Sequence, residues 1–259
     1  MDSLKFEDGY YRTVSGNVSL ISRALPSFMF YCRALSIVYK SSVMARRGQY
    51  DTGEWSDSSI DVIKTLEDVG VDIEITGADH FINLDEACVF VSNHMSTMET
   101  FVLPGIIAPF KELTFIVKKS LVEYPIFKYV MRSRDPVTVG RTNPRDDLKA
   151  VLEGGTERLK SGRSIVVFPQ TTRATVFDPE AFNTIGVKLA KRANVPVVPV
   201  ALKTHAWRNG RFIKDFGKID PSYKVHFAFG EPLRIEGRGT EEHEEIIKFI
   251  TIKLDEWNK

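Results

Sequence analysis

Short apolar runs alternate with longer amphipathic segments over most of the chain. Four runs are apolar on both faces, as in strands buried within a parallel sheet: 87–92, 113–117, 164–168 and 195–202. Residues 71–76 alternate between apolar and polar, which predicts a strand with one wet face near an edge. Helical spacing predicts the main intervening helices over 97–107, 143–160, 183–193 and 241–257. Together these elements predict an α/β fold with a mostly parallel central sheet covered by helices.

The N-terminal region has a different pattern. Residues 1–16 are polar, and we expect a flexible N-terminus there. Residues 17–48 are dense in aromatic and aliphatic side chains, with Pro26 placed to open a second helix. This pattern fits either a helical hairpin packed on the domain or an amphipathic pair of helices lying in a membrane interface. Taken alone, the segment favours the packed hairpin. Residues 49–59 predict a polar linker, and the α/β domain is expected over 57–259.

Composition narrows the classes of protein. A length of 259 residues is enough for one large α/β domain. The net charge of +1 lacks the basic excess of a nucleic-acid binder, so we expect no nucleic-acid partner. Cys32 and Cys88 lie far apart in apolar sequence and form no metal-ligand pattern, so we expect reduced thiols and no metal. No apolar run reaches the length of a transmembrane helix, so the chain is expected to be soluble or to lie on a membrane.

A candidate catalytic pair follows the strand predicted over 87–92. His94 lies in the turn after this strand, and Glu99 lies five positions later. Because neighbours on one helix face are three or four residues apart, this spacing places His94 in the turn and Glu99 in the next helix. The carboxylate can then fold back onto one imidazole nitrogen and leave the other free to accept a hydroxyl proton. An isolated histidine in a loop is more often structural, so the interpretation depends on further clusters.

Two more polar clusters end predicted strands. Gly140 and Arg141 close a short strand over 136–141, and residues 170–173 follow the strand over 164–168. A parallel sheet brings such ends to one edge, so a base and two arginines are expected to face one crevice. Hydroxyls, backbone N–H groups and arginine forks together suit a phosphate group.

In this order and spacing the clusters resemble the sequence blocks of the glycerolipid acyltransferase family, which includes 1-acylglycerol-3-phosphate acyltransferase. Asn93-His94 with Glu99 resembles the family's Asn-His, four residues, Asp. Residues 137–141 resemble the second block, which ends in arginine, and residues 168–173 resemble Phe-Pro-Glu-Gly-Thr-Arg. The apolar fourth block is similar to 197–200, and Lys118-Lys119 resembles the stretch between the first two blocks. The resemblance covers roughly residues 70–235.

The resemblance implies an O-acyltransferase with an α/β/α sandwich like that of glycerol-3-phosphate acyltransferase. It implies transfer of a fatty acyl group from acyl-CoA or acyl-carrier protein, as co-substrate and without a cofactor, to the free hydroxyl of a lysophospholipid. The expected acceptor is 1-acyl-sn-glycerol-3-phosphate and the product phosphatidic acid. Of the two alternatives for residues 17–48, the resemblance favours the helical hairpin that lies in the membrane interface. The expected location is the cytoplasmic face of the cell membrane, as a peripheral or monotopic protein.

The resemblance also implies a role for each matched residue. His94 would be the general base, and Glu99 would hold its tautomer and stabilise its charge. The acceptor phosphate would be bound by Arg141, Gln170, Thr171, Thr172 and Arg173. Further expected site residues are Asn93, Lys118, Lys119, Gly140 and Pro199.

Three positions depart from the family pattern. Glu99 replaces Asp and keeps the charge with a longer reach. Gln170 replaces Glu and removes an anion beside the proposed phosphate site, and Thr171 replaces Gly and removes freedom at positive φ. These departures leave open another lipid alcohol or an amine as acceptor, and also a catalytically silent lipid-binding protein. A hydrolase using His94 with water is a third possibility, whereas the lack of a Gly-x-Ser-x-Gly elbow disfavours a serine hydrolase.

Overall fold

The computed structural model describes residues 3–14, 16, 18–125, 127–170, 172–211 and 213–259. Its strands are β1 Tyr11–Arg12, β2 Ile73–Thr76, β3 Val89–Ser92, β4 Leu113–Lys118, β5 Val137–Val139, β6 Ser164–Val167, β7 Val197–Lys203 and β8 Val225–Phe229. Its helices are α1 Leu20–Ala24, α2 Pro26–Arg46, α3 Thr52–Asp68, α4 Asp79–Ile82, α5 Met98–Ile107, α6 Lys128–Ser133, α7 Pro144–Lys160, α8 Ile185–Ala193 and α9 Thr240–Trp257, with a 3-10 turn over Lys119–Val122.

The strands form one sheet in the order β1-β2-β8-β7-β3-β6-β4-β5. Pairing is parallel from β7 through β3, β6 and β4 to β5, whereas β7 pairs antiparallel with β8. The carboxyl ends of β3 to β7 therefore meet at one edge, and β2, which is parallel to β8, ends at the opposite edge. The predicted α/β fold with a mostly parallel sheet is confirmed.

Both faces of the sheet are buried, which explains why the central strands are mostly apolar. On one face Phe90 packs in a core with α2, α3 and α5, and on the other Val89 and Val91 pack with α7, α8 and α9. Gly186 lets α8 approach β3 closely, because a Cβ atom there would lie 2.4 Å from a methyl carbon of Val91. The sheet that carries the strand ends is thus fixed from both sides.

Two segments differ from the sequence predictions. The sequence predicts a flexible N-terminus over residues 1–16, whereas β1 within this segment pairs with β2, and the Tyr11 hydroxyl donates to Glu67 at 2.6 Å. The linker predicted over 49–59 instead contains the first turns of α3. There Asp51 caps the helix by accepting from the Glu54 N–H at 3.0 Å, and the Trp55 side chain is buried. The first turn of α3 is polar, and in sequence it has the composition of a linker.

Candidate active site

His94 and Glu99 meet at the edge where the parallel strands end. The Nδ1 atom of His94 lies 2.9 Å from Oε2 of Glu99, a distance that fits a direct hydrogen bond. Glu99 lies in the first turn of α5 and its side chain is 0% exposed, while the His94 side chain is 18% exposed. With Nδ1 directed at the carboxylate, the neutral ring carries its proton there and presents Nε2 as the base.

The Glu99 carboxylate is held by a set of buried donors. Its Oε1 atom accepts from the N–H groups of Met95 at 3.2 Å and Ser96 at 2.8 Å, and from the Thr204 hydroxyl. The Ser96 N–H also lies 3.1 Å from Oε2. The Ser96 hydroxyl in turn donates to Thr204 at 3.0 Å. Several donors thus fix the position of this buried carboxylate, which faces the Nδ1 side of His94.

Neighbouring strands fix the loop that carries His94. Asn93, predicted as a site residue, pairs with both backbone groups of Leu202 on β7, each at 2.8 Å. The His94 N–H donates to Gln170 Oε1 at 2.6 Å, and the His94 ring stacks on Phe168 with 4.3 Å between centroids. The side-chain oxygen of Gln170, predicted to face a phosphate, is thus engaged by this loop. The orientation of His94 is therefore set by β7, by α5 and by residues that follow β6.

Arg173 is a basic residue that contacts the segment following His94. It lies just after β6, where it pairs with Asp215 at 2.8 Å and donates to the hydroxyl of Thr97, three residues from His94. The Thr97 hydroxyl also bonds Asp215 at 3.1 Å. The Arg173 side chain is mostly buried. The guanidinium is therefore close to the loop that carries His94 but is already paired with a carboxylate.

Arg141 lies farther along the edge. It follows β5, and β6 and β4 separate β5 from β3, so the two strand ends are about 14 Å apart at ~4.8 Å per spacing. Arg141 has a positive φ of 59°, and the Asp147 carboxylate accepts from the N–H groups of Gly140 at 2.7 Å and Arg141 at 2.8 Å. The structure does not bring the Arg141 strand end into contact with His94.

The remaining predicted residues have varied positions. Lys118 ends β4 and Lys119 begins the 3-10 turn, both exposed on the same edge. Thr172 is exposed, whereas Pro199 is buried in β7 opposite Val91. Thr171 lies outside the described residues. The roles predicted for these residues stay predictions.

Sequence reasoning missed two polar partners, Thr204 and Asp215. Thr204 directly follows β7, so the rule that functional groups lie beyond the carboxyl ends of parallel strands could have found it. Asp215 lies within the irregular segment between β7 and β8, which carries no periodicity. Only packing places its carboxylate beside Arg173.

The α/β fold places a histidine–carboxylate pair at the carboxyl edge of its parallel sheet, an arrangement that can accept a proton from a hydroxyl. The family model described as Acyltransferase matches residues 72–203, more than half of the chain. The chain therefore belongs to the acyltransferase family. The resemblance drawn from the four sequence blocks is confirmed.

The chain is similar in sequence to several proteins that are named as acyltransferases. The chain is 29% identical over 170 residues to the 1-acyl-sn-glycerol-3-phosphate acyltransferase of Pseudomonas aeruginosa, covering 66% of this chain and 62% of that protein. It is 30% identical to a probable enzyme of the same name from Mycoplasma pneumoniae, with 57% of each chain covered. An uncharacterized acyltransferase of Schizosaccharomyces pombe is 25% identical and matches 91% of this chain and 85% of its own. The chain thus spans less than two thirds of the first two relatives.

A solved structure shows the fold. The 1-acyl-sn-glycerophosphate acyltransferase PlsC of Thermotoga maritima superposes with a TM-score of 0.70 at 22% identity, covering 91% of this chain and 96% of that one. The predicted sandwich architecture is confirmed by this match. Within the described part of the chain, no helix has the length and apolar character needed to cross a bilayer. Nor does any group of three or more His, Cys, Asp and Glu in the described ranges form a metal site.

Proposed function

We propose that this protein transfers a fatty acyl group from a thioester carrier to the free hydroxyl of 1-acyl-sn-glycerol-3-phosphate, giving phosphatidic acid. The observation that carries the proposal is the hydrogen bond between His94 Nδ1 and the buried Glu99 carboxylate. This bond leaves Nε2 as a base at a partly exposed position. The names of the curated relatives support the choice of acceptor.

The first chemical step is attack of the acceptor on the thioester. His94 Nε2 takes the proton from the acceptor hydroxyl as its oxygen bonds to the thioester carbonyl carbon, and the carbonyl oxygen becomes an oxyanion. The imidazolium that forms is stabilised by Glu99. The carboxylate of Glu99 accepts hydrogen bonds from the Thr204 hydroxyl and from the Met95 and Ser96 N–H groups. General-base assistance of this kind contributes about 10²–10⁴-fold in rate.

The second step expels the thiol. The tetrahedral intermediate re-forms its carbonyl, the C–S bond breaks, and the leaving sulfur takes the proton held on His94. The histidine is then neutral again, and the products are the acylated lipid and the free carrier thiol. No covalent acyl-enzyme is needed, because the acceptor oxygen itself is the nucleophile.

Arg173 is the residue we propose for the acceptor phosphate. It donates directly to the Thr97 hydroxyl and its side chain is mostly buried, so a phosphate there would meet a partly desolvated guanidinium. Asp215 is already paired with this guanidinium, and the phosphate must take its place or share it. Arg141, Lys118 and Lys119 extend a basic edge along β5 and β4, which would attract an anionic acceptor.

The experiment that tests the proposal is product analysis with a mixed pool of lysolipids in vesicles, with acyl-CoA and with acyl-carrier protein as donors. Phosphatidic acid that forms in step with free thiol supports it. Acylation of a different lipid alcohol or amine would show that this lipid, and not 1-acyl-sn-glycerol-3-phosphate, is the acceptor. Free fatty acid without any acylated lipid would identify thioester hydrolysis and overturn the proposal.

The protein is also proposed to bind a membrane surface through α1 and α2. One face of α2 packs Phe30, Ala34 and Val38 into the domain. Large apolar side chains point outward elsewhere on these helices: Leu20, Ile21, Leu25, Phe28, Leu35 and Tyr39. Exposed basic residues accompany them: Arg23, Arg33, Lys40, Arg46 and Arg47. Exposed apolar side chains with basic neighbours are the pattern of a helix that lies in a lipid interface.

Replacing Ile21 and Phe28 with serine is expected to weaken binding to anionic vesicles by about 100-fold or more, because each of the two large side chains gains roughly 1.5 kcal/mol or more on burial. These side chains are 64% and 63% exposed, so folding should be unaffected. Vesicle flotation measures the bound fraction. Ile252→Ser, on the exposed face of α9, is the matched control and should float like the parent. Unchanged flotation of the double variant would rule out this face as the anchor.

A further inference from the structure

Arg173, Thr97 and Asp215 form a polar cluster beside the loop that carries His94. One guanidinium nitrogen, Nη1 of Arg173, lies 2.8 Å from Oδ1 of Asp215 and also donates to the Thr97 hydroxyl. That hydroxyl donates in turn to the same Asp215 oxygen at 3.1 Å. A carboxylate oxygen therefore lies where a cationic donor and a neutral donor converge. Because a guanidinium binds carboxylate and phosphate oxygens with the same geometry, a phosphate oxygen suits the same position.

The two charged partners differ in their exposure to solvent. The Arg173 side chain is 18% exposed, whereas the Asp215 side chain is 46% exposed. The guanidinium is thus held mostly within the protein, and the carboxylate reaches it from the solvent side. An anion that arrives from solvent meets Arg173 at the position that Asp215 fills.

The backbone around Asp215 is bound to the rest of the domain. The Asp215 carbonyl accepts from the indole N–H of Trp207 at 3.2 Å, and the Trp207 side chain is buried. Two residues further on, the Gly217 carbonyl accepts from the Tyr31 hydroxyl of α2 at 2.6 Å. The half-exposed Asp215 side chain can therefore leave Arg173 by a change of rotamer while these backbone contacts stay in place.

We propose that the Asp215 carboxylate competes with the acceptor phosphate for Arg173 and so determines the acceptor concentration that the enzyme needs. This inference rests on the role proposed for Arg173 in acyl transfer. In the empty site Asp215 pairs with the mostly buried guanidinium and holds it in position. The acceptor phosphate displaces Asp215, and its apparent affinity falls in proportion to the fraction of molecules in which Arg173 is released.

The competition acts on acceptor binding and not on proton transfer. Asp215 bonds to Arg173 and Thr97, whereas His94 bonds to Glu99. A residue that changes substrate binding alone alters KM and leaves kcat in place. This separation distinguishes competition by Asp215 from a part in the chemical step.

The test replaces Asp215 with asparagine, which keeps the shape of the side chain and removes its charge. Asp215→Asn is expected to lower KM for 1-acyl-sn-glycerol-3-phosphate about 3–10-fold, between the effect of an exposed ion pair and that of a buried hydrogen bond to a charged group. Both kcat and the KM for the acyl donor should stay within about twofold of the parent. Asp215→Glu, which keeps the charge, should have an acceptor KM closer to that of the parent than to that of Asp215→Asn.

Asp220→Asn is the matched control for the loss of one negative charge. Asp220 lies in the same segment between β7 and β8, and it pairs with Arg208 at 2.8 Å. Its replacement should leave the acceptor KM unchanged. An equal fall in KM in both variants would indicate a general effect of charge and would overturn the proposal.

Binding of glycerol 3-phosphate, measured by calorimetry without donor or vesicles, gives a readout that does not depend on turnover. This probe carries the acceptor's phosphate and no acyl chain, and it should bind about 3–10-fold more tightly to Asp215→Asn than to the parent or to Asp220→Asn. Unchanged or weaker binding to Asp215→Asn, or an acceptor KM that is unchanged or raised, would show that Asp215 only supports Arg173 and would overturn the proposal. Absence of acyl transfer to 1-acyl-sn-glycerol-3-phosphate by the unmodified protein would instead contradict the proposed function.

Discussion

Replacing His94 with alanine is expected to lower kcat for acyl transfer by about 10²–10⁴-fold, because the acceptor hydroxyl loses its general base. The expected change in KM is small, since the phosphate contact proposed for Arg173 does not involve the imidazole. The side chain is partly exposed and lies on a loop fixed by Asn93 and Gln170, so the fold should be retained. Initial rates of thiol release, measured with a saturating lysophospholipid, give the effect.

The control for this change is His80→Ala. His80 follows β2 at the opposite edge of the sheet, and its Nδ1 lies 3.1 Å from the Phe229 carbonyl. Its loss should leave kcat within a factor of about three, and both variants should show cooperative thermal unfolding. A His94→Ala protein that turns over like His80→Ala would remove the base from the mechanism.

Replacing Glu99 with glutamine is expected to lower kcat by about 10²–10⁴-fold, although the side chain keeps its size. Its amide can present an oxygen to Thr204 and Ser96 only by directing its NH₂ group at His94. That reverses the imidazole tautomer, so Nε2 carries the proton and cannot act as a base; a wrong tautomer costs about 10⁴-fold in serine-protease triads. In the opposite orientation the amide NH₂ group faces the buried N–H and hydroxyl donors of Ser96 and Thr204, which leaves donors unpaired and costs roughly 1–3 kcal/mol of stability.

Glu99→Asp is the informative comparison, because it keeps the charge and shortens the reach by one bond of about 1.5 Å. The carboxylate must then give up His94 or the Thr204 hydroxyl, and an intermediate loss in kcat is expected. Steady-state rates together with melting temperatures separate the catalytic effect from the effect on stability. Full activity of Glu99→Gln would show that the carboxylate does not set the tautomer.

The sheet could be predicted from sequence because its signals are local. Strands such as β3 and β6 are buried on both faces, so three of the four positions in each are apolar and the run is easily recognised. The short strand β1 could not be predicted in this way, since its two residues depend on the distant β2 and on Glu67. The start of α3 was missed although Asp51 and Glu54 have the spacing of a cap.

The histidine–carboxylate pair was accessible to sequence reasoning for a similar reason. Glu99 lies only five residues after His94, and a single turn separates them. The local sequence alone therefore determines whether the carboxylate can reach the ring. The bonds that hold the carboxylate also involve Thr204, more than one hundred positions away. The pairing of Arg173 with Asp215 likewise depends on how the segment after β7 packs, and no local pattern encodes that packing.

The central claim, that His94 and Glu99 act as one catalytic unit, is tested most directly by a double-mutant cycle. Glu99→Gln should lower kcat by about 10²–10⁴-fold in the parent protein and by less than about threefold in the His94→Ala protein. Effects of residues that act together do not add, so the double variant should retain nearly the activity of His94→Ala alone. If the two losses multiply instead, the carboxylate acts independently of the imidazole, and the mechanism is contradicted.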